Sequence, residues 1–125
     1  MDYRASCHCG RVRFTFKSEP ITSGYRCNCS FCARRGIVVA PVYLPPEAFV
    51  EVVGTESLTL YQFGEKSTNH YFCSTCGIFP FHVVAYIPDD YRGTARPGYY
   101  RVNLGCVLDL DIFSLEISLI DGKSY

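Results

Sequence analysis

Cys27-Asn28-Cys29-Ser30-Phe31-Cys32 places three thiols within six residues. A buried thiol packs as a small hydrophobe, and no core needs three of them in one loop. Metal ligation does, because a loop that turns back on itself presents successive sulfurs to one ion. Two more clusters lie outward from this one. Cys7 and Cys9 flank His8 and precede Gly10, and Cys73-Ser74-Thr75-Cys76 precedes Gly77. A glycine directly after a cluster relieves strain in such a turn. Cys106 stands apart.

Seven clustered thiols do not complete two tetrahedra. Structural zinc takes four protein ligands, whereas catalytic zinc takes three and keeps one position for water or substrate. Cys27, Cys29 and Cys32 come from a single loop and form the natural open set. Cys7/Cys9 and Cys73/Cys76 then close a structural site that ties the start of the domain to its middle. Spacing also allows Cys7/Cys9 with Cys27/Cys29, leaving Cys32 with the last pair. The expectation is two Zn²⁺ per chain. Seven thiolates and two such ions make the loaded protein about three charges more negative than its formal count.

The totals favour a single zinc-binding domain over residues 1–125. A chain of this length buries roughly two thirds of its unfolded surface. Ten Tyr and nine Phe lean it toward strands. Lys+Arg and Asp+Glu balance at twelve each, so nucleic acid is not an expected partner. Met1–Gly10 is polar and has no apolar segment of the signal-peptide kind. No apolar run reaches the roughly 20 residues that cross a bilayer. The expected setting is the cytoplasm, with no membrane partner, where eight Cys act as ligands or nucleophiles rather than disulfides.

Short strands account for most of the remaining pattern. Arg11–Phe16 alternates Val12, Phe14 and Phe16 with Arg11, Arg13 and Thr15. Further strands are expected at 21–26, 37–44, 50–53, 57–63, 78–86, 99–104 and 113–120. One helical turn fits 46–49, behind Pro45-Pro46, and Pro80 argues for an edge or a bulge. No long amphipathic helix appears. The fold class is all-β or β-rich.

The three clusters, Cys7-His8-Cys9-Gly10, Cys27-Asn28-Cys29-Ser30-Phe31-Cys32 and Phe72-Cys73-Ser74-Thr75-Cys76-Gly77, resemble the glutathione-dependent formaldehyde-activating enzyme family, which includes centromere protein V. Arg101–Cys106 and Asp121-Gly122 also look like one branch of it. The resemblance implies a β-rich, Mss4-like fold. It implies a structural zinc on Cys7, Cys9, Cys73 and Cys76, and a catalytic-type zinc on Cys27, Cys29 and Cys32. The activity implied is a carbon–sulfur lyase that joins formaldehyde to glutathione as S-hydroxymethylglutathione.

Zinc in an open site lowers the pKa of a bound thiol and holds a thiolate at neutral pH. A small thiol therefore suits the open site, and the resemblance implies that this thiol is glutathione or one similar to it. Arg34 and Arg35 follow the open loop and are candidates for a two-point hydrogen bond to a substrate carboxylate. The weightier reading of both is a solvated loop charge, as most surface arginines are. Among His8, His70 and His82, the last is the first candidate beside the substrate. Cys106 reads as a buried thiol. Ligation by it would close the second site and undermine catalysis. The competing functions are a zinc-stabilised module that binds protein or nucleic acid, and a structural domain with both metals closed.

Overall fold

The computed structural model describes residues 1–124. Nine strands are seen among them: β1 (Asp2–Ser6), β2 (Arg13–Lys17), β3 (Ser23–Cys27), β4 (Phe49–Val53), β5 (Leu58–Tyr61), β6 (Thr68–Cys73), β7 (Phe81–Val84), β8 (Tyr100–Val102) and β9 (Glu116–Ile120). The α-helix α1 (Ser30–Arg35) interrupts them, and short 3₁₀ turns, such as Pro46–Ala48, join others. This is the β-rich class expected from the sequence. No described helix is long and apolar enough to cross a membrane.

The strands form three sheets. β1-β2-β4 and β5-β6-β7-β8 are antiparallel, while β3 and β9 pair in parallel. Alternation along β1 and β2 turns Tyr3, Ala5, Phe14 and Phe16 inward. Tyr3 lies opposite Phe16, and Ala5 opposite Phe14. The inner face of the four-stranded sheet meets them: Phe14 and Phe81 pack edge-on at 5.3 Å, and Phe49 lies 4.3 Å from Tyr100. Val38, Ala40, Val102, Leu104 and Val107 complete this core.

The segment 37–44 differs from expectation. Val38, Val39 and Ala40 are buried, as an apolar run should be. Yet it forms isolated bridges rather than a strand: Val39 to Tyr25 and to Asn103, and Leu44 to Tyr100. Pro41 offers no N–H to continue a ladder. The segment therefore stitches β3 to β8 across the core. Pro80 is fully buried and lies just ahead of β7, where its missing N–H breaks no ladder bond. β1 lies in a stretch that reads as merely polar, although Tyr3 and Ala5 alternate with Asp2 and Arg4.

Candidate metal centres and the adjoining cavity

Two knuckles bring four sulfurs together. β1 ends at Ser6, and the chain turns through Cys7–Gly10 into β2, with the Cys7 N–H on the Val12 carbonyl at 3.0 Å. β6 ends at Cys73, whose N–H bonds the Ile78 carbonyl at 2.9 Å, while the Gly77 N–H returns to the Cys73 carbonyl. Gly10 and Gly77 both take left-handed φ, 85° and 79°. The Sγ atoms of Cys7, Cys9, Cys73 and Cys76 all lie within 4.8 Å of one another. Cys7–Cys9 and Cys9–Cys73 are 3.6 and 3.7 Å apart.

Those lengths identify the chemistry the donors suit. A disulfide is about 2.05 Å long, so these are free thiols. Four sulfurs about 2.3 Å from a tetrahedral zinc have edges of about 3.8 Å. The observed spacings fit that tetrahedron. Burial raises the Cys76 thiol, but the N–H groups of Cys9 and Ile78 outweigh it and bring it to about 6. Burial likewise acts upward on Cys73, and the N–H groups of Cys76 and Thr75 carry it below its ordinary value. Val12, fully buried, roofs the group.

The second group is Cys27, Cys29 and Cys32, its sulfurs also within 4.8 Å of one another. β3 delivers Cys27. Cys29 is the N-cap of α1, where its sulfur accepts the Cys32 N–H at 3.3 Å, a role oxygen side chains usually fill. The Cys29 N–H points at the Cys27 sulfur at 3.5 Å, and Nη2 of Arg35 donates to Cys32 at 3.3 Å. Each sulfur thus accepts one N–H. Gly36 ends α1 in the left-handed region, its N–H on the Cys32 carbonyl. Burial raises Cys29, but the Cys32 N–H and the neighbouring thiols bring it down. Burial drives Cys32 up to about 11 against Arg35.

The chain's last described residues close this loop. Nδ2 of Asn28 donates to Asp121 Oδ1, and Oδ1 of Asn28 accepts the Lys123 N–H, both at 3.0 Å. A Cβ on Gly122 would stand 2.4 Å from the Cys27 sulfur and 3.2 Å from the Cys29 Cβ. Gly122 is required there by close approach. No histidine or carboxylate joins either group among the described residues. Cys106 joins neither. It is buried, accepts from Nδ2 of Asn103 at 3.6 Å, and burial pushes it to about 12.

Beside α1 opens a cavity of about 530 Å³, lined by Phe31, Arg34, Arg35, Tyr61, Ile78 and Phe79 among others. The Arg35 guanidinium lies 4.1 Å from the Phe31 ring centre and 5.1 Å from that of Phe79. Nη1 of Arg34 bonds the Ser30 carbonyl. His82 lies elsewhere. It is buried opposite His70 on β7, between the rings of His70 at 5.4 Å and Tyr43 at 5.9 Å. His70 packs on Phe31 at 4.6 Å and stacks on Phe63. Burial, then the charge of Arg35, lowers His70 to about 4. Burial, with His70, Arg101 and Arg35 beside it, lowers His82 as well. His8 is exposed.

Several of these residues were not among the expected site residues. Asn28 sits inside the cysteine motif, and Asp121-Gly122 is a turn signal that also resembles one branch of the family, without pointing to Asn28. Their pairing across most of the chain has no local signature. Phe31 sits in the motif too, but its ring becomes meaningful only when α1 turns it toward His70 and Phe63.

Comparison with known proteins agrees with this architecture. A Rhodobacter sphaeroides protein, solved by crystallography as a structural genomics target, matches with a TM-score of 0.70 and 31% identity. The match covers 94% of this chain and 100% of that one. The family model of the glutathione-dependent formaldehyde-activating enzyme matches residues 2–115, which include both cysteine groups and the cavity beside α1. The chain therefore belongs to the glutathione-dependent formaldehyde-activating enzyme family.

Proposed function

We propose that the chain is a zinc-dependent carbon–sulfur lyase acting on a glutathione adduct such as S-hydroxymethylglutathione, or on the adduct of a similar small thiol. The observation that carries this is the unequal sharing of sulfur, four in one group and three in the other. Cys7, Cys9, Cys73 and Cys76 would hold a structural zinc, and Cys27, Cys29 and Cys32 the second. Zinc in the three-cysteine loop would supply a thiol-seeking Lewis acid with one position left for the substrate sulfur.

The chain's own groups prepare that loop. Three N–H donors on three sulfurs offset part of their negative charge, and the donor on Cys32 is itself a cation. In the direction of adduct formation a C–S bond forms, and the thiol proton ends on the former carbonyl oxygen. Arg34 and Arg35, on the cavity wall, would hold a substrate carboxylate. His82 lies behind His70 and would act on substrate only through it. Eight free thiols suit a reducing compartment such as the cytoplasm.

The test is a calorimetric or NMR titration of the zinc-loaded protein with glutathione and then S-hydroxymethylglutathione. Binding is expected in the unaltered chain and lost in Cys29→Ser. Absent binding, or binding unchanged by that substitution, defeats the proposal.

A further inference from the structure

The cavity beside α1 is larger and more apolar than a hydroxymethyl group requires. Two heavy atoms displace on the order of two waters, about 60 Å³, whereas the cavity holds about 530 Å³. Its walls are largely the rings of Phe31, Tyr61 and Phe79 and the side chain of Ile78. Tyr61 and Ile78 remain 45% and 37% exposed, so apolar surface lines the route in. A peptide backbone laid against these rings would find few hydrogen-bond partners beyond Arg34, Arg35 and Asn103.

Positive charge is set into this apolar wall. Arg35 lies over the Phe31 and Phe79 rings, gives one N–H to Cys32, and has a buried Nε with no partner. Arg34 stands beside it. No carboxylate side chain lines the cavity, and neither arginine forms an ion pair among the described residues. Two guanidinium groups with no carboxylate beside them, set among the tilted and edge-on rings of Phe31, Tyr61 and Phe79, complement an anion carried on a flat apolar body.

We propose that this cavity binds a small organic carboxylate with an aromatic or similarly flat apolar body. The preferred substrates are then thiol adducts that carry such a group, rather than the hydroxymethyl adduct alone. The adduct chemistry rests on the lyase proposal. Carboxylate binding stands on the cavity itself.

The experiment is an NMR titration of the zinc-loaded full chain with 3-phenylpropanoate, propanoate, 3-phenylpropanol and 3-phenylpropylammonium. The aromatic carboxylate is expected to bind about tenfold tighter than each of the others. Its shifts should fall on the Gly77 and Ile78 amides and on the rings of Phe31, Tyr61 and Phe79. Arg35→Gln should remove most of its advantage over the alcohol, and Arg34→Gln serves if that variant does not fold. Equal affinity for propanoate, equal affinity for the ammonium compound, or shifts away from α1 would overturn the proposal. The ligand series on the unaltered chain decides this without any variant. If the glutathione titration fails while 3-phenylpropanoate binds, the lyase reading falls and the anion cavity stands. The reverse result leaves a lyase with no apolar preference.

Discussion

His70 and His82 are buried side by side with Arg35 and Arg101 nearby, an arrangement that opposes protonation. The unfolded chain takes up a proton at His70 near its ordinary 6.5, while the folded chain resists until about 4. Folding stability from this residue is therefore full above pH 6.5 and is lost as the pH falls toward 4. The difference amounts to about 3 kcal/mol. His70→Phe should flatten the pH dependence of stability across that window in urea titrations. Ligand protonation affects both proteins alike, so their difference isolates the imidazole. Gly122 makes a second residue-level case. Gly122→Ala would drive a methyl into the Cys27 sulfur, and is expected to cost one zinc per chain with the circular dichroism of the fold preserved.

The two cysteine groups belong to different kinds of element, and their loss should differ accordingly. Cys73 ends β6 in the core beside Val12, so Cys73→Ser should abolish cooperative folding. A structural zinc supplies folding free energy of order 10 kcal/mol. Cys29 caps a six-residue helix at the rim, and Cys29→Ser should keep the fold, since a serine oxygen can still cap α1. Thermal unfolding with parallel metal analysis separates the two. What could be read beforehand follows the same division. The knuckles and β2 were legible because their signals, cysteine spacing and alternation, are local. The helix was not, since six residues show less than two turns of periodicity and a cysteine is an unusual cap. At 37–44 burial was legible from hydrophobicity, but hydrogen bonding was not, because Pro41 decides it.

Over the whole molecule, the pairing of β9 with β3 was the least legible feature. Its register, Ser23 with Glu116 through Cys27 with Ile120, joins residues more than ninety positions apart. β9 itself is exposed at most positions, so no burial pattern announces its partner. The four-cysteine group joins two sheets, β1-β2-β4 and β5-β6-β7-β8, whereas the three-cysteine loop rests on the small β3–β9 pair. A mild chelator is thus expected to remove one zinc first with little change in far-ultraviolet dichroism. Removal of the other should coincide with unfolding. Two simultaneous losses would contradict this order.

The clasp of Asn28 by residues 121–123 also sets a sequence of events during translation. Cys76 leaves the ribosome before Gly122, so the four-sulfur group can come together first. The three-sulfur loop must wait for β9 and residues 121–123 to emerge. Under the zinc proposal, metal loading would be staged, the four-cysteine group filling before the three-cysteine loop is complete.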